Sequence, residues 1–326
     1  MRLSTLWGTI TCSVALSSLL VGGVHAQKAW PDKPVRIIAS FAAGGSSDLV
    51  ARQVAQHLST RFGQQFIVEN RAGAGGNIGV DFVAKAPADG YVLGLATSAP
   101  LANNASLYAK MPFDAAKDLT PIALVGEIPL VIAVNPAVKA RDLREFVAMG
   151  KSKTDPVSVG NPGNGTIGHL ATEALRLNAG VKLQAVPYKG DAPAMTDAIS
   201  GAIDAVFAPV TSLMPNIEAR RLKALAVTSK HRFPGLPDVP TAKEQGINVE
   251  ATVWSALVGP AGLPPAIVTS LNKEINSFIG SADGKAKLAS LGMSGLSGTP
   301  AQLSALMASE AVTWKKVIDS AKISLD

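Results

Sequence analysis

A chain of 326 residues is longer than the usual single domain of about 100 to 150, so two lobes are the natural expectation. Its one cysteine, Cys12, excludes disulfides within the chain and thiolate metal sites. The formal charge of +6 is scattered, with only short pairs such as Arg220-Arg221 and Lys315-Lys316, which excludes the basic stripe of a nucleic-acid binder.

The first 26 residues read as a secretory leader, with Arg2 as the positive end, an apolar stretch over 10–21 and Val24-His25-Ala26 as a small-x-small cleavage site before Gln27. The stretch is too short and too rich in Ser and Thr for a membrane span. Thr11 before Cys12 does not suit a lipoprotein processing site. Removal of the leader leaves 300 residues without a thiol.

Short β-branched runs then alternate with helical patterns, the signature of α/β units. A strand is expected over 35–39, followed by the turn Gly44-Gly45 and a helix over 46–61 with Leu49, Val50, Val54 and Leu58 on one face. A strand over 65–69, a small-residue helix over 75–86 and a strand over 91–96 follow. Two further strands, 122–125 and 130–134, are separated by Glu127-Ile128-Pro129, the first crossing between lobes. The second lobe repeats the grammar: helix 142–150, strand 157–160, helix 166–177, strand 184–187, helix 192–200 and strands 205–208 and 222–228. The segment 252–259 carries the chain back, and helices over 265–279, 285–291 and 300–321 are expected to pack on the first lobe. Lobe one is thus 27–127 plus 252–326, and lobe two 128–251.

Two strand-to-helix loops stand out. Phe41-Ala42-Ala43-Gly44-Gly45-Ser46-Ser47-Asp48 and Asn161-Pro162-Gly163-Asn164-Gly165-Thr166-Ile167-Gly168-His169 both combine glycines that permit close approach, a Ser or Thr at the helix start, and first-turn amides without partners. Such helix starts favour a carboxylate or phosphate, although a glycine turn before a helix is also an ordinary feature of α/β chains. Other chemistries lack an agent. His57, His169 and His231 form no metal motif, Gly284-Lys285 lacks the earlier glycine of a phosphate loop, and Gly73-Ala74-Gly75-Gly76-Asn77-Ile78-Gly79 misses dinucleotide spacing. No serine sits in a complete nucleophile elbow. No cofactor and no metal are expected.

The chain resembles the Bug-type substrate-binding proteins of tripartite tricarboxylate transporters over essentially its whole length after the leader. The resemblance rests on Trp30-Pro31, Pro34-Val35-Arg36, Gly44-Gly45 with Asp48, Glu69-Asn70-Arg71 and the glycines from Gly73 to Gly79. It continues through Pro87-Ala88-Asp89-Gly90-Tyr91, Asp118-Leu119-Thr120-Pro121, Gly163-x-Gly165-Thr166-x-x-His169-Leu170 and Val186-Pro187-Tyr188-Lys189-Gly190. Asp197, Gly201, Asp204, Leu236-Pro237-Asp238-Val239-Pro240-Thr241, Glu244, Gly246, Trp254, Pro260 and Pro264 complete it.

The resemblance implies a two-lobed periplasmic binding-protein (flytrap) fold of type II-like architecture, with two mostly parallel sheets, flanking helices and two interdomain crossings. It implies a monomeric receptor, located in the periplasm, that passes a small carboxylate to transporter membrane subunits. A sensor kinase as partner, or a secreted enzyme acting on a carboxylic acid, are the competing readings. Main-chain amides around Ala42, Ala43, Gly44, Gly45 and Ser46, and around Asn164, Gly165 and Thr166, are then expected to grip the carboxylate, with the Thr166 hydroxyl as a further donor and Phe41 and Gly163 as neighbouring ligand-binding residues. Ala42, where proline is often found, and Pro162, where a small polar residue is common, depart from the family pattern and reshape the cleft.

Asp48 either orders the first loop or bridges to ligand through water, and a first-turn acid is favoured by the helix dipole in any case. His169 is expected to brace the second loop from within its helix, in preference to contacting the ligand directly. Tyr188 and Lys189 end a strand where α/β sheets bind ligands, and Lys189 is either a charge for the anion or a solvated lysine. Ser98 is a candidate contact for the far end of the ligand. Asp204 is either part of the cleft wall or a turn residue.

Overall fold

The computed structural model describes residues 30–325. The leader and its cleavage point before Gln27 therefore lie outside the described residues. No helix among the described residues is long and apolar enough to cross a membrane.

The chain opens with β1 (Val35–Ala39), α1 (Ser46–Phe62), β2 (Phe66–Asn70), α2 (Asn77–Ala84) and β3 (Val92–Thr97). β1 has only Arg36 partly exposed, as expected of a strand covered on both faces of a parallel sheet. β4 (Leu119–Val134) leads to α3 (Leu143–Ser152), β5 (Val157–Asn161), α4 (Ile167–Ala179), β6 (Leu183–Pro187), α5 (Asp191–Ser200), β7 (Ala205–Pro209), α6 (Val210–Glu218) and β8 (Lys223–Val227). β9 (Thr252–Pro260) returns, followed by α7 (Pro265–Gly280), α8 (Ala282–Ser290), β10 (Ser294–Gly295) and α9 (Pro300–Ala321).

The strand order β2-β1-β3-β9-β4 continues as β4-β7-β5-β6, with β10 and β8 also on β4. β1 pairs in parallel with β2 and β3, and β5 with β6 and β7. The joining pairs β3–β9, β9–β4, β4–β7 and β4–β8 are all antiparallel. The sheets are therefore mixed rather than mostly parallel, because strands that leave one half and come back must run against their neighbours.

The first crossing is one strand of 16 residues, not two. Leu119 to Pro129 pair with β9, whereas Leu130 to Val134 pair with β7. Pro129 reads in sequence as a breaker, but it stands where the ladder changes partner. Thr228 secures that junction: its hydroxyl donates to Ala251 O at 2.6 Å, and Leu130 N donates to it at 3.2 Å.

Alternation along β4 sets the cores. Val131 and Ala133 join the cluster that also holds Val35, Ile37 and Ala39, while Leu130, Ile132 and Val134 face Phe146 and Leu170. The C-terminal helix was expected on the first lobe alone, and that holds only for its first half. Leu303 and Met307 pack with Ile38 and Trp254, whereas Trp314 and Ile318 enter the cluster of Leu130, Ile132 and Phe146. At 1.5 Å per residue α9 is about 33 Å long, enough to serve both. A reciprocal cap between Thr299 and Gln302 fixes its start.

Candidate functional site

β1 and β5 are each the middle strand of a parallel triplet, and the two glycine loops leave their C-terminal ends, where α/β sheets carry ligands. In the first loop Ala42, Ala43, Gly44, Gly45 and Ser46 are exposed and Phe41 is half-buried. Gly44 has φ +82°, which favours glycine, and Gly45 precedes α1 with no side chain capping the helix. The first-turn amides are therefore left for an outside acceptor.

Asp48 lies beneath, 2% exposed, and accepts from Gly44 N at 2.9 Å, Arg52 Nε at 3.0 Å and Asn70 Nδ2 at 2.9 Å. Burial by itself raises its pKa, but the hydrogen bonds from Arg52, Gly44 and Asn70 outweigh this and hold it below the ordinary carboxylate value. Asp48 thus orders the loop as an ionised acceptor. Asn70 Nδ2 also holds Phe41 O, at 3.0 Å.

The second loop is braced without a charge. Gly163 and Gly165 have φ +149° and +71°. Gly165 N donates to His169 Nδ1 at 3.1 Å, so the imidazole carries its proton on Nε2. Burial lowers the His169 pKa more than nearby Glu173 raises it, which keeps that acceptor available. Thr166 caps α4: its hydroxyl accepts from His169 N at 3.4 Å and donates to Gly163 O at 2.7 Å. The single hydroxyl proton is committed within the loop in this structure, while Asn164 is exposed.

The flanking residues separate. Tyr188 and Lys189 are brought to the second loop, with Tyr188 N on Asn161 O at 3.0 Å and Gly190 N on Pro162 O at 2.9 Å. The Tyr188 hydroxyl donates to Asp197 at 2.6 Å, and burial together with that carboxylate pushes its pKa up to about 12. Lys189 is exposed. Ser98 is 2% exposed and stands at the end of β3, before a π-helical turn over Ala99–Asn103. Asp204 is not brought to the loops. It precedes β7, at the opposite sheet edge, where Ser158 N and Oγ donate to it at 2.9 and 2.8 Å and Lys153 at 3.1 Å.

A cavity of about 1140 Å³ runs from Ser46 to a floor made by Ile128 and Val253 of the crossing strands. One wall comes from α8 and the turn before β10, the other from Asp191 and α6. On the other side, contacts link the loops. The Phe41 ring sits against Gly76, where a Cβ would approach it to 3.3 Å. Asn104 Nδ2 donates to Gly75 O at 3.1 Å, Leu107 N to Asn104 O at 3.0 Å and Leu325 N to Leu107 O at 3.0 Å. The Leu325 side chain covers Gly165, where a Cβ would come within 2.7 Å of it.

Sequence reasoning missed Leu325, because nothing local pairs a chain end with a distant loop. It named Ser47 and Asn161 within the loops but gave no role to their buried polar groups, Ser47 Oγ and Asn161 Nδ2, which have no partner among the described residues. The Asn161 signal was present: a polar residue closing a buried strand.

Two lobes joined by crossing strands, with a glycine loop at the C-terminal end of each parallel triplet, have the architecture of a solute-binding receptor. The chain belongs to the tripartite tricarboxylate transporter family of receptors, whose family pattern matches residues 50–323. BugT of Bordetella pertussis is 36% identical over 291 residues, 89% of each chain. Among solved structures, R. palustris Rpa4515 with adipate superposes with a TM-score of 0.77 at 34% identity, covering 91% of this chain and 100% of the other. MatC from Rhodopseudomonas palustris with bound malate gives 0.72 at 29%, covering 89% and 100%. The family is one of periplasmic solute-binding receptors.

Proposed function

We propose that this chain captures a small carboxylate between lobes of 27–127 with 252–326 and 128–251, the end of α9 leaning onto the second, and delivers it to the membrane subunits of a tripartite transporter. The observation that carries the reading is the pair of amide loops, neither of which contains a lysine or arginine. The amides of Gly44, Gly163, Gly165 and Thr166 hold the loops themselves, so the grip on the ligand falls to the remaining loop amides, such as those of Ala43, Ser46 and Asn164. The adipate and malate held by two structural neighbours support the ligand class. Contacts from both lobes exist together only when the cleft shuts, so the ligand shifts the open–closed balance. The receptor acts as a monomer, matured by cleavage before Gln27, and leaves its ligand chemically unchanged.

A thermal-shift screen of mono-, di- and tricarboxylates, joined to small-angle scattering, tests this. A bound carboxylate raises the melting temperature, since it stabilises the native state alone, and compacts the protein. Stabilisation by neutral sugars or cations only would overturn the anion assignment. Recovery of a chemically altered ligand after long incubation would overturn the receptor in favour of an enzyme.

A further inference from the structure

The wall of the cleft contains a group that an anion receptor does not require. Asp191 opens α5 directly after Gly190, whose N–H is fastened to Pro162 O at 2.9 Å, so this carboxylate is held beside the second amide loop. It lines the same cavity as Ser46 of the first loop. The Ser212 hydroxyl donates to its Oδ2. Its Oδ1 is shielded from solvent and has no hydrogen-bond donor among the described residues. No basic side chain forms an ion pair with it among the described residues, and Lys285, the one cation lining the cavity, stands on α8 across the cleft.

A position in the first turn of a helix explains why an acid is tolerated there. It does not explain a half-satisfied carboxylate in the wall of a cleft that receives an anion. Of the two loops only the first reaches this cavity, through Ser46, so a ligand whose carboxylate rests there would extend its remaining polar group toward Asp191. A second carboxylate would meet a like charge in a partly dehydrated space, whereas an ammonium would pair with the Asp191 carboxylate in a charge-assisted contact.

We propose that Asp191 is the specificity-determining residue of the cleft, and that the ligand is an amino-carboxylate whose ammonium group lies on Asp191. The proposal rests on the carboxylate-receptor reading and narrows it: simple dicarboxylates, of the kind two relatives hold, are disfavoured here. An amine replaced by a hydroxyl keeps a donor but loses the charge, so the corresponding hydroxy acid binds less tightly.

The test is calorimetry on the purified protein with ligands matched in chain length: 3-aminopropanoate against succinate, 4-aminobutanoate against glutarate, 5-aminopentanoate against adipate, and L-alanine against L-lactate. At least one amino member binds the unmodified protein roughly tenfold or more tighter than its partner. Asp191→Asn keeps the size and the Ser212 contact and removes that preference, while Asp191→Glu, which restores the charge, retains part of it. Near-ultraviolet circular dichroism confirms that the variants are folded. Equal or tighter binding of the diacid by the unmodified protein, or a preference that Asp191→Asn leaves unchanged, overturns the proposal and leaves the receptor reading standing. Failure of every carboxylate, including acetate and butanoate, overturns the receptor reading and this proposal with it.

Discussion

The two amide loops are built to the same plan and held by opposite means. Beneath the first, a buried ionised carboxylate, Asp48, gathers the Gly44 amide, Arg52 and Asn70. Beneath the second, a neutral imidazole, His169, accepts the Gly165 amide, the Thr166 cap ties the loop to itself, and Leu325 closes it from outside. A charged acceptor gives stronger hydrogen bonds but adds a negative charge close to the proposed seat of the carboxylate. Arg52 at 3.0 Å offsets that charge at the first loop. The second loop avoids the difficulty with an uncharged brace, and in exchange takes on a sensitivity to acid.

The largest effect separating the two braces is expected from Asp48→Ala. It leaves three donors without their acceptor at a site 2% exposed, and hydrogen bonds to charged groups contribute about 1.5 to 3 kcal/mol each before water returns. A net loss of about 3 kcal/mol is expected in urea unfolding. His169→Ala removes one neutral acceptor and costs about 1 kcal/mol. Equal losses in the two variants would erase the distinction between the loops.

Next in size is the effect of loop shape on binding. Gly165→Val forces a β-branched residue to φ +71° and drives its Cβ to 2.7 Å from Leu325 Cδ1. Left-handed backbone alone costs such a residue about 1 to 2 kcal/mol. Affinity for a carboxylate found in the screen should fall at least tenfold, about 1.4 kcal/mol, by calorimetry. Lys189→Ala, at an exposed position, should change it by less than about twofold, within the usual ±0.5 kcal/mol of a surface substitution. The reverse ranking would replace the amide grip by a cationic clamp.

The smallest effect is the acid sensitivity that belongs to the second loop. The folded pKa of His169 lies below its ordinary 6.5, so the folded protein binds fewer protons there than the unfolded chain. Its contribution to stability is complete above 6.5 and declines as pH falls through the depressed folded value, where protonated Nδ1 can no longer accept from Gly165. Asp48, held below 3.8, keeps the first loop intact over that interval. Ring titration by NMR should place the His169 midpoint under 6.5, and the loss of loop-two order should follow it. A midpoint above 6.5 would show that the imidazole is charged and the brace misassigned.

Much of this was legible in the sequence. Val35–Ala39 is the predicted strand to the residue, because a β-branched run bounded by Pro34 and Ser40 has few alternatives. Pro300–Ala321 is the predicted helix, because Thr299 caps it and its apolar residues recur on one face. Thr166 caps α4 with its side chain as expected, whereas α1 starts after Gly45 with no side-chain cap, so the Ser expected to cap it lies one residue inside the helix.

The rest depended on partners distant in the chain. Pro129 does not break β4, since the strand changes neighbours there, and Pro215 inside α6 concealed a helix that sequence reasoning passed over. Strand direction takes Asp204 to the far edge of β7 and brings Asp191, which the sequence did not single out, into the cleft. Leu325 meets Gly165 only because α9 spans both halves of the molecule. The sequence by itself determined most of the elements and the two glycine loops, because turn, cap and periodicity preferences act over a few neighbouring residues. What touches those loops, and which charge lines the cavity beside them, was decided by tertiary structure, because burial and hydrogen bonding are settled only when elements far apart in the chain pack together.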